Sequence, residues 1–287
     1  MKYRHSFHAG NFADVHKQVT LLALLGALKK KEKGFLYLET HAGRGSYDLS
    51  TPTAEAAAGI GRFEAAHPQA EELRAYAAAL GELRRELKHR YFYPGSPLLA
   101  VRALRAQDRA VLIELQGPEA HALEAALGTL AGVQGGAAPH TQVERGDGFQ
   151  RLKAWLPPAE RRALTFIDPP YEETQQDFSH ATAALAEGLR RFPTGIFACW
   201  YPIKDERTTR SWQVSCVRTL EAPLLASELW LYPRDSRVAL NGSGLLIANP
   251  PHLTLERMQA WLPQLVGTLS DHAAAGSSAQ MLSNCAP

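Results

Sequence analysis

From about residue 93 onward the chain alternates between two hydrophobic periods, and that alternation restricts the fold more than any other feature. "RAVLIEL" (109–115), "TQVER" (141–145), "RRALTFI" (161–167) and "TGIFACWYPI" (194–203) are short apolar runs with strand character. Between them lie "GPEAHALEAALGTL" (117–130), "GFQRLKAWL" (148–156) and "SHATAALAEGLRRF" (179–192), which carry apolar residues at helical spacing. Strands separated by helices of this length predict a mostly parallel sheet covered on both faces. "APLLASELWLYP" (222–233) and "SGLLIANPP" (243–251), joined by the polar "RDSRVALNG", predict a closing antiparallel pair.

The first 92 residues supply three further parts. "ADVHKQVTLLALLGALKKKEK" places Val15, Val19, Leu22, Leu25 and Leu28 three and four apart and ends in lysines, as a helix C-terminus favours. "GFLYLET" (34–40) reads as a strand and "HAGRGSY" (41–47) as a glycine loop. Residues 51–92 are rich in alanine. They repeat Leu73, Tyr76, Ala77, Leu80, Leu83 and Leu87 as one stripe, which predicts a helical unit inserted into an α/β domain formed by residues 1–50 and 93–270. The small, polar stretch 271–287 is expected to be a loosely ordered tail.

In an open α/β sheet, ligands bind beyond the carboxyl ends of the strands. Four such ends carry informative residues. Gly43 and Gly45 allow close approach of the backbone to a ligand, though turn chemistry alone also explains them. Glu114 closes the second strand, where a carboxylate binds nucleotide ribose hydroxyls. It lies 71 residues past Gly43 rather than the usual ~20, and the helical insertion accounts for the excess. Asp147, between Gly146 and Gly148, can turn the chain or accept from an amino group.

The fourth end is Asp168-Pro169-Pro170-Tyr171. Two prolines end a strand, and a tetrapeptide of this composition arises by chance in such a chain with a probability of about 10⁻³. An exocyclic amine donates two protons, so a carboxylate and a stiff backbone carbonyl can aim its lone pair at an electrophile. Tyr171 is expected to offer a stacking face for a base.

Together these features resemble the S-adenosylmethionine-dependent amino-methyltransferases of nucleic acids, which need no metal. The resemblance narrows when "YRHSFHAGNFADVHK" (3–17), "THAGRGSY", "YFYPGSPLLA", "IEL", "GDGFQ", "IDPPYE" and "WYPI" are read together. They are similar to the bacterial 23S ribosomal RNA adenine-N6 methyltransferases of the J type over nearly the whole chain. The resemblance implies an α/β, Rossmann-like class I methyltransferase sheet, mostly parallel with a terminal antiparallel hairpin, plus an inserted helical subdomain.

It also implies Asp168 as the catalytic residue, with Pro169, Tyr171 and Lys17 beside it. His41, Ser96, Glu114, Asp147, Gly148 and Asp168 would bind the cofactor, joined by the loop residue Gly43. Tyr3, His5 and Lys17 would approach the target adenine with Tyr171, and Lys17 is expected to orient RNA. Two positions depart from the family, which has His where this chain has Phe12 and Gln18. The second contacts the cofactor in the family, and Gln18 retains one donor for that contact.

Partners follow from the same reading: 23S rRNA free of protein or early in assembly, no membrane, and a monomeric state. Candidate RNA surfaces are the cluster Arg84, Arg85, Lys88, His89 and Arg90, and the segment with Arg234 and Arg237. The net charge of +2 does not itself select a nucleic-acid partner. Three scattered cysteines, Cys199, Cys216 and Cys285, and the lack of a membrane-length apolar run point to a cytoplasmic protein. Alternatives are methylation of guanine N2 in rRNA or adenine N6 in DNA, or a non-catalytic RNA-binding protein that keeps the fold.

Overall fold

The computed structural model describes residues 7–134, 138–172, 174–234, 236, 238 and 240–283. In chain order its first half comprises α1 (Phe12–Lys29), β1 (Leu36–Glu39), β2 (Ser46–Asp48), α2 (Ala54–Ala56), a π turn (Ala57–Gly61), α3 (Arg62–Ala66), α4 (Glu71–Glu86), β3 (Phe92–Pro94) and α5 (Ser96–Ala103). Then come β4 (Arg109–Glu114), α6 (Gly117–Gln134), β5 (His140–Arg145), α7 (Gly148–Trp155), β6 (Ala163–Ile167), α8 (Thr174–Arg191) and β7 (Ile196–Ile203). The chain closes with α9 (Glu206–Thr219), β8 (Leu224–Trp230), β9 (Gly242–Ala248), α10 (Thr254–Leu269) and β10 (Gly276–Leu282).

The eight-stranded sheet runs β10-β8-β9-β7-β6-β1-β4-β5. From β5 through β7 the pairs are parallel, whereas β9 is antiparallel to both β7 and β8. Strands β1, β6 and β7 are buried along their whole lengths, which is why they read as unbroken apolar runs. The order reverses at β1, with β4 on one side and β6 on the other, and that switch point opens the crevice described below.

The tail expectation needs correction. Gly276–Leu282 is an edge strand paired antiparallel with β8 from Gly276↔Trp230 to Leu282↔Leu224. Its side chains are mostly half-buried or exposed. At the sheet edge neither of its faces is fully covered, so the sequence shows no apolar run. Helices α9 and α10 also go beyond the sequence reading, which assigned neither. Helix α10 buries Met258, Trp261, Leu262, Leu265, Val266 and Leu269 despite Pro263 within it.

The inserted helices leave and return through one gate. Strands β2 and β3 pair antiparallel, Ser46↔Pro94 to Asp48↔Phe92, so the excursion begins and ends at adjacent points. Leu73, Tyr76, Leu80 and Leu83 of the expected stripe are buried, while Ala77 is exposed. They join the same hydrophobic core as the sheet. Arg257 of α10 binds Glu72 at 2.6 Å and fastens the insertion to the main body. Among the described residues no helix is long and apolar enough to cross a membrane.

Candidate active site

A cleft of about 630 Å³ opens at the carboxyl ends of the parallel strands, within the range of small-molecule sites. Its walls are built from the strand ends singled out in the sequence.

The glycine loop and Glu114 meet despite their 71-residue separation. Gly43 N–H donates to Glu114 Oε2 at 2.8 Å and Gln116 N–H to Oε1 at 2.7 Å, which fixes the carboxylate at the cleft wall. Gly43 has φ +64° and Gly45 φ +80°, left-handed conformations that side chains resist. A Cβ on Gly45 would lie 2.5 Å from Leu98 Cδ1, so the turn is also sterically sealed. Next to Glu114, Leu115 lines the cleft and is 62 % exposed, an apolar surface open to it.

Asp147 and Gly148 form the neighbouring wall. Asp147 Oδ1 caps α7, accepting from Phe149 N–H at 2.9 Å and Gln150 N–H at 3.3 Å. A Cβ on Gly148 would lie 1.9 Å from the Thr40 carbonyl, so only glycine lets this turn press against the end of β1. His41 accepts or donates at Nδ1 with Thr40 Oγ1, 2.8 Å away, and meets the Phe149 ring edge-on at 4.8 Å. Burial pushes its pKa down to about 4, against the pull of Asp168 and Asp147, so the imidazole is neutral.

Behind Ser96 of the cleft wall, Glu39 is fully buried. Its carboxyl accepts from Tyr37 Oη at 2.8 Å and from Ser96 Oγ. Burial pushes its pKa up to about 8, the two hydrogen bonds opposing and the nearby Asp168 adding to the rise. Ser96 therefore orients Glu39 here. Gln18 is buried with both ends of its amide engaged: Nε2 donates to the Pro94 carbonyl at 2.9 Å, and Oε1 accepts from Tyr76 Oη at 2.8 Å. It braces α1 against β3 and α4 while still lining the cleft.

Asp168 stands just beyond β6, with Pro169 and Pro170 in the wall beside it. Its Oδ2 accepts from Lys17 Nζ at 2.8 Å, and the same ammonium lies 3.1 Å from Asp14 Oδ1 and 4.7 Å from the centroid of the Trp200 ring. Lys17 is thus held inside the site, between Asp14 and Asp168.

Tyr171 departs from expectation. It is 2 % exposed, with φ +50°, and its ring packs edge-on against Phe178 and Trp200. Its hydroxyl donates to the Trp200 carbonyl at 2.8 Å, so the ring presents no face to the cleft and instead wedges the D-P-P-Y turn against β7. Tyr3 and His5 lie outside the described residues, as do Arg237 and Cys285. Cys199 and Cys216 are buried free thiols.

The two basic surfaces are partly neutralised. Arg84 binds Glu64, His89 lies 3.2 Å from Asp48, and Arg234 binds Glu206 at 2.7 Å. Among the described residues no group of His, Cys, Asp and Glu could hold a metal ion. Sequence reasoning missed Asp14, Leu115 and Trp200 as parts of the cleft. Glu39, a lone carboxylate ending an otherwise apolar strand, stood out in the sequence and lies buried behind Ser96.

The donor set suits S-adenosylmethionine. Carboxylates at two adjacent strand ends, an exposed leucine between them and a glycine turn suit a nucleoside, and Ser96 and Gln18 give the rest of the cleft a polar lining.

Residues 32–281 match the family described as "Ribosomal RNA large subunit methyltransferase D, RlmJ". The chain is 39% identical over 269 residues to "Ribosomal RNA large subunit methyltransferase J" of Escherichia coli, covering 92% of each chain. It is 38% identical over 273 residues to the protein of the same name from Haemophilus influenzae, covering 94% of each. Among solved structures, protein LPL1258 from Legionella pneumophila superposes with a TM-score of 0.83 at 32% identity, covering 96% of this chain and 98% of that one.

Proposed function

We propose that this chain, which belongs to the RlmJ family of ribosomal RNA large subunit methyltransferases, methylates the exocyclic N6 of an adenine in 23S ribosomal RNA with S-adenosylmethionine. The observation that carries the reading is Asp168, held at 2.8 Å by Lys17 at a proline-stiffened strand end, inside the cleft that Glu114 and the glycine loop enclose.

Glu114 would hold the ribose hydroxyls of the cofactor, Asp147 and Gly148 its adenine edge, and Ser96, Gln18, His41 and Gly43 the rest of the molecule. Once bound, S-adenosylmethionine supplies an electrophilic methyl group on a sulfonium. Lys17 occupies Asp168 Oδ2, which leaves Oδ1 to accept one N6 hydrogen and turn the nitrogen lone pair toward that methyl. Pro169 and Pro170 keep the turn from relaxing, and Tyr171 locks it from behind through the Trp200 carbonyl. The proton released on methylation passes to Asp168 or to solvent. The adenine must leave its stack to reach this depth, which favours RNA that is free of protein or early in assembly.

Residues 51–92 serve as the helical subdomain of the methyltransferase domain formed by 1–50 and 93–270, and the protein acts as a cytoplasmic monomer. Tritium transfer from S-adenosylmethionine to deproteinised 23S rRNA lacking the modification tests the reading. N6-methyladenosine that vanishes with Asp168→Ala is the expected product. Label in guanine or in DNA instead would move the activity to another amine, and cofactor binding without transfer to any nucleic acid would overturn the substrate.

A further inference from the structure

Helix α9 carries a second feature that the methyl-transfer site does not use. Thr209, Trp212, Gln213 and Cys216 turn inward, whereas Arg207, Arg210, Ser211, Val214, Ser215 and Arg218 line an open groove of about 470 Å³. Residues 207, 210, 214 and 218 are spaced by three and four, so the three arginines share one exposed face over about 16 Å of helix.

No described residue forms an ion pair with Arg207, Arg210 or Arg218. Arg102, Arg109 and Arg257 each bind a carboxylate, whereas other arginines without an ion pair, such as Arg74 and Arg161, do not form a stripe of three on one helix face. The acids at the start of α9 are engaged. Asp205, which lies in the field of Arg207, accepts from Thr208 N–H at 2.7 Å and Thr208 Oγ1 at 2.6 Å, and Glu206 binds Arg234 at 2.7 Å. Like charges three residues apart weaken a helix, so the stripe is not explained by helix stability.

Position supplies the second argument. Helix α9 leaves the sheet at the end of β7, two residues after Lys204, whose Nζ donates to the Tyr171 carbonyl at 3.4 Å. The stripe therefore starts beside the D-P-P-Y turn and runs away from the cleft along the flank of the sheet. A strand whose target base enters at Asp168 must lay its neighbouring phosphates on the surface around that turn. Guanidinium groups suit phosphates because their planar forks pair with two oxygens at once.

We propose that the exposed face of α9 is a backbone-binding surface for the rRNA strand flanking the target adenine, with Arg207, Arg210 and Arg218 on successive phosphates. This rests on the RNA methyltransferase reading and adds to it where the substrate lies. Contacts of this kind position the RNA and are blind to its sequence.

The test compares the full-length wild type with the Arg207→Gln, Arg210→Gln, Arg218→Gln triple variant, all surface positions. The control removes the same charge from the exposed lysines after α1: Lys30→Gln, Lys31→Gln, Lys33→Gln. Filter binding to an in vitro transcribed 23S rRNA fragment is measured between 50 and 200 mM salt, with steady-state methyl transfer alongside, about the range over which counterion release is read. The α9 variant is expected to raise the KM for RNA roughly tenfold or more and to lower the slope of log affinity against log salt by about 2 to 3, near 0.7 to 0.9 per lost contact. Its kcat and cofactor affinity should match the wild type, and the control should behave as wild type in every readout.

Equal RNA affinity and salt slope in the α9 variant and an active wild type would overturn the inference. So would an equal loss in the control, which would make the effect one of net charge. A defect seen only on protein-bound RNA would assign the face to a protein partner instead. A wild type that methylates no RNA would reject the underlying reading and is distinct from all three.

Discussion

Lys17 Nζ sits between two carboxylates that come from opposite ends of the fold, 3.1 Å from Asp14 Oδ1 one turn earlier on α1 and 2.8 Å from Asp168 Oδ2 beyond β6. One ammonium thereby ties the N-terminal helix to the D-P-P-Y turn. Replacing it by methionine removes the shared cation from a buried Asp14 and a largely buried Asp168 and frees Asp168 to rotate. Lys17→Met is expected to lower the single-turnover rate on the order of 10²-fold, similar to loss of one transition-state hydrogen bond, with cofactor affinity changed only a few-fold. Rapid-quench methyl transfer with saturating RNA measures it, and a rate within threefold of wild type would remove Lys17 from the mechanism.

Glu114 and Gly148 should separate ligand binding from folding. Glu114→Ala deletes the carboxylate that Gly43 and Gln116 orient, so calorimetric cofactor affinity should fall about tenfold or more, the ~1.4 kcal/mol or greater expected of one charged hydrogen bond. Gly148→Ala must instead force the Thr40 carbonyl aside. It is expected to cost about 1–3 kcal/mol of stability as overpacking does, visible in denaturant unfolding without any ligand.

Glu39 makes stability depend on pH in an unusual direction. Its folded pKa of about 8 lies above the ordinary 4.5, so the unfolded chain loses this proton first as pH rises. The contribution is complete below pH 4.5 and is lost as pH climbs through about 8. Glu39→Gln, which cannot ionise, should flatten that decline and leave the variant more resistant than wild type to urea at pH 8. Identical slopes in the two proteins between pH 5 and 8 would mean that Glu39 is ionised in the fold.

Tyr171 yields a prediction that separates wedge from stacking platform. Removing only its hydroxyl, Tyr171→Phe, should cost about 1 kcal/mol through the lost bond to Trp200. Tyr171→Ala should cost about 3–5 kcal/mol by emptying a buried ring site. Melting curves taken without RNA decide the matter. A stable alanine variant whose defect lies wholly in the KM for RNA would restore the stacking role.

What was legible in the chain was local. The prolines after β6, the glycines after β1 and the carboxylate ending β4 each announce themselves within a few residues, and the fold only had to bring them together. Asp168, Glu114 and Gly43 thus meet in one cleft as the strand-end argument expected. Relations that depend on side-chain direction stayed hidden. The positive φ of Tyr171 turns its ring inward, which no motif encodes, and the reach of Lys17 to Asp168 depends on how α1 is laid over the sheet. Strand β10 escaped notice because at the sheet edge neither of its faces is fully covered. The burial of Glu39 is a property of β1 lying mid-sheet, with β4 and β6 on either side.

The short ladder between β2 and β3 bears on how the cleft is assembled in time. Strand β4 cannot pair with β1 until the chain between Glu39 and Arg109 has been drawn into a loop, and closing a loop grows costlier with its length. Pairing Ser46–Asp48 with Phe92–Pro94 closes the helical excursion off as a loop of its own within that path. The remaining closure spans only the glycine turn and α5. Contact between Gly43 and Glu114 then becomes a near-neighbour event, because the entropy of closing the excursion is met at the β2–β3 ladder, where it grows only slowly with the length of the insertion.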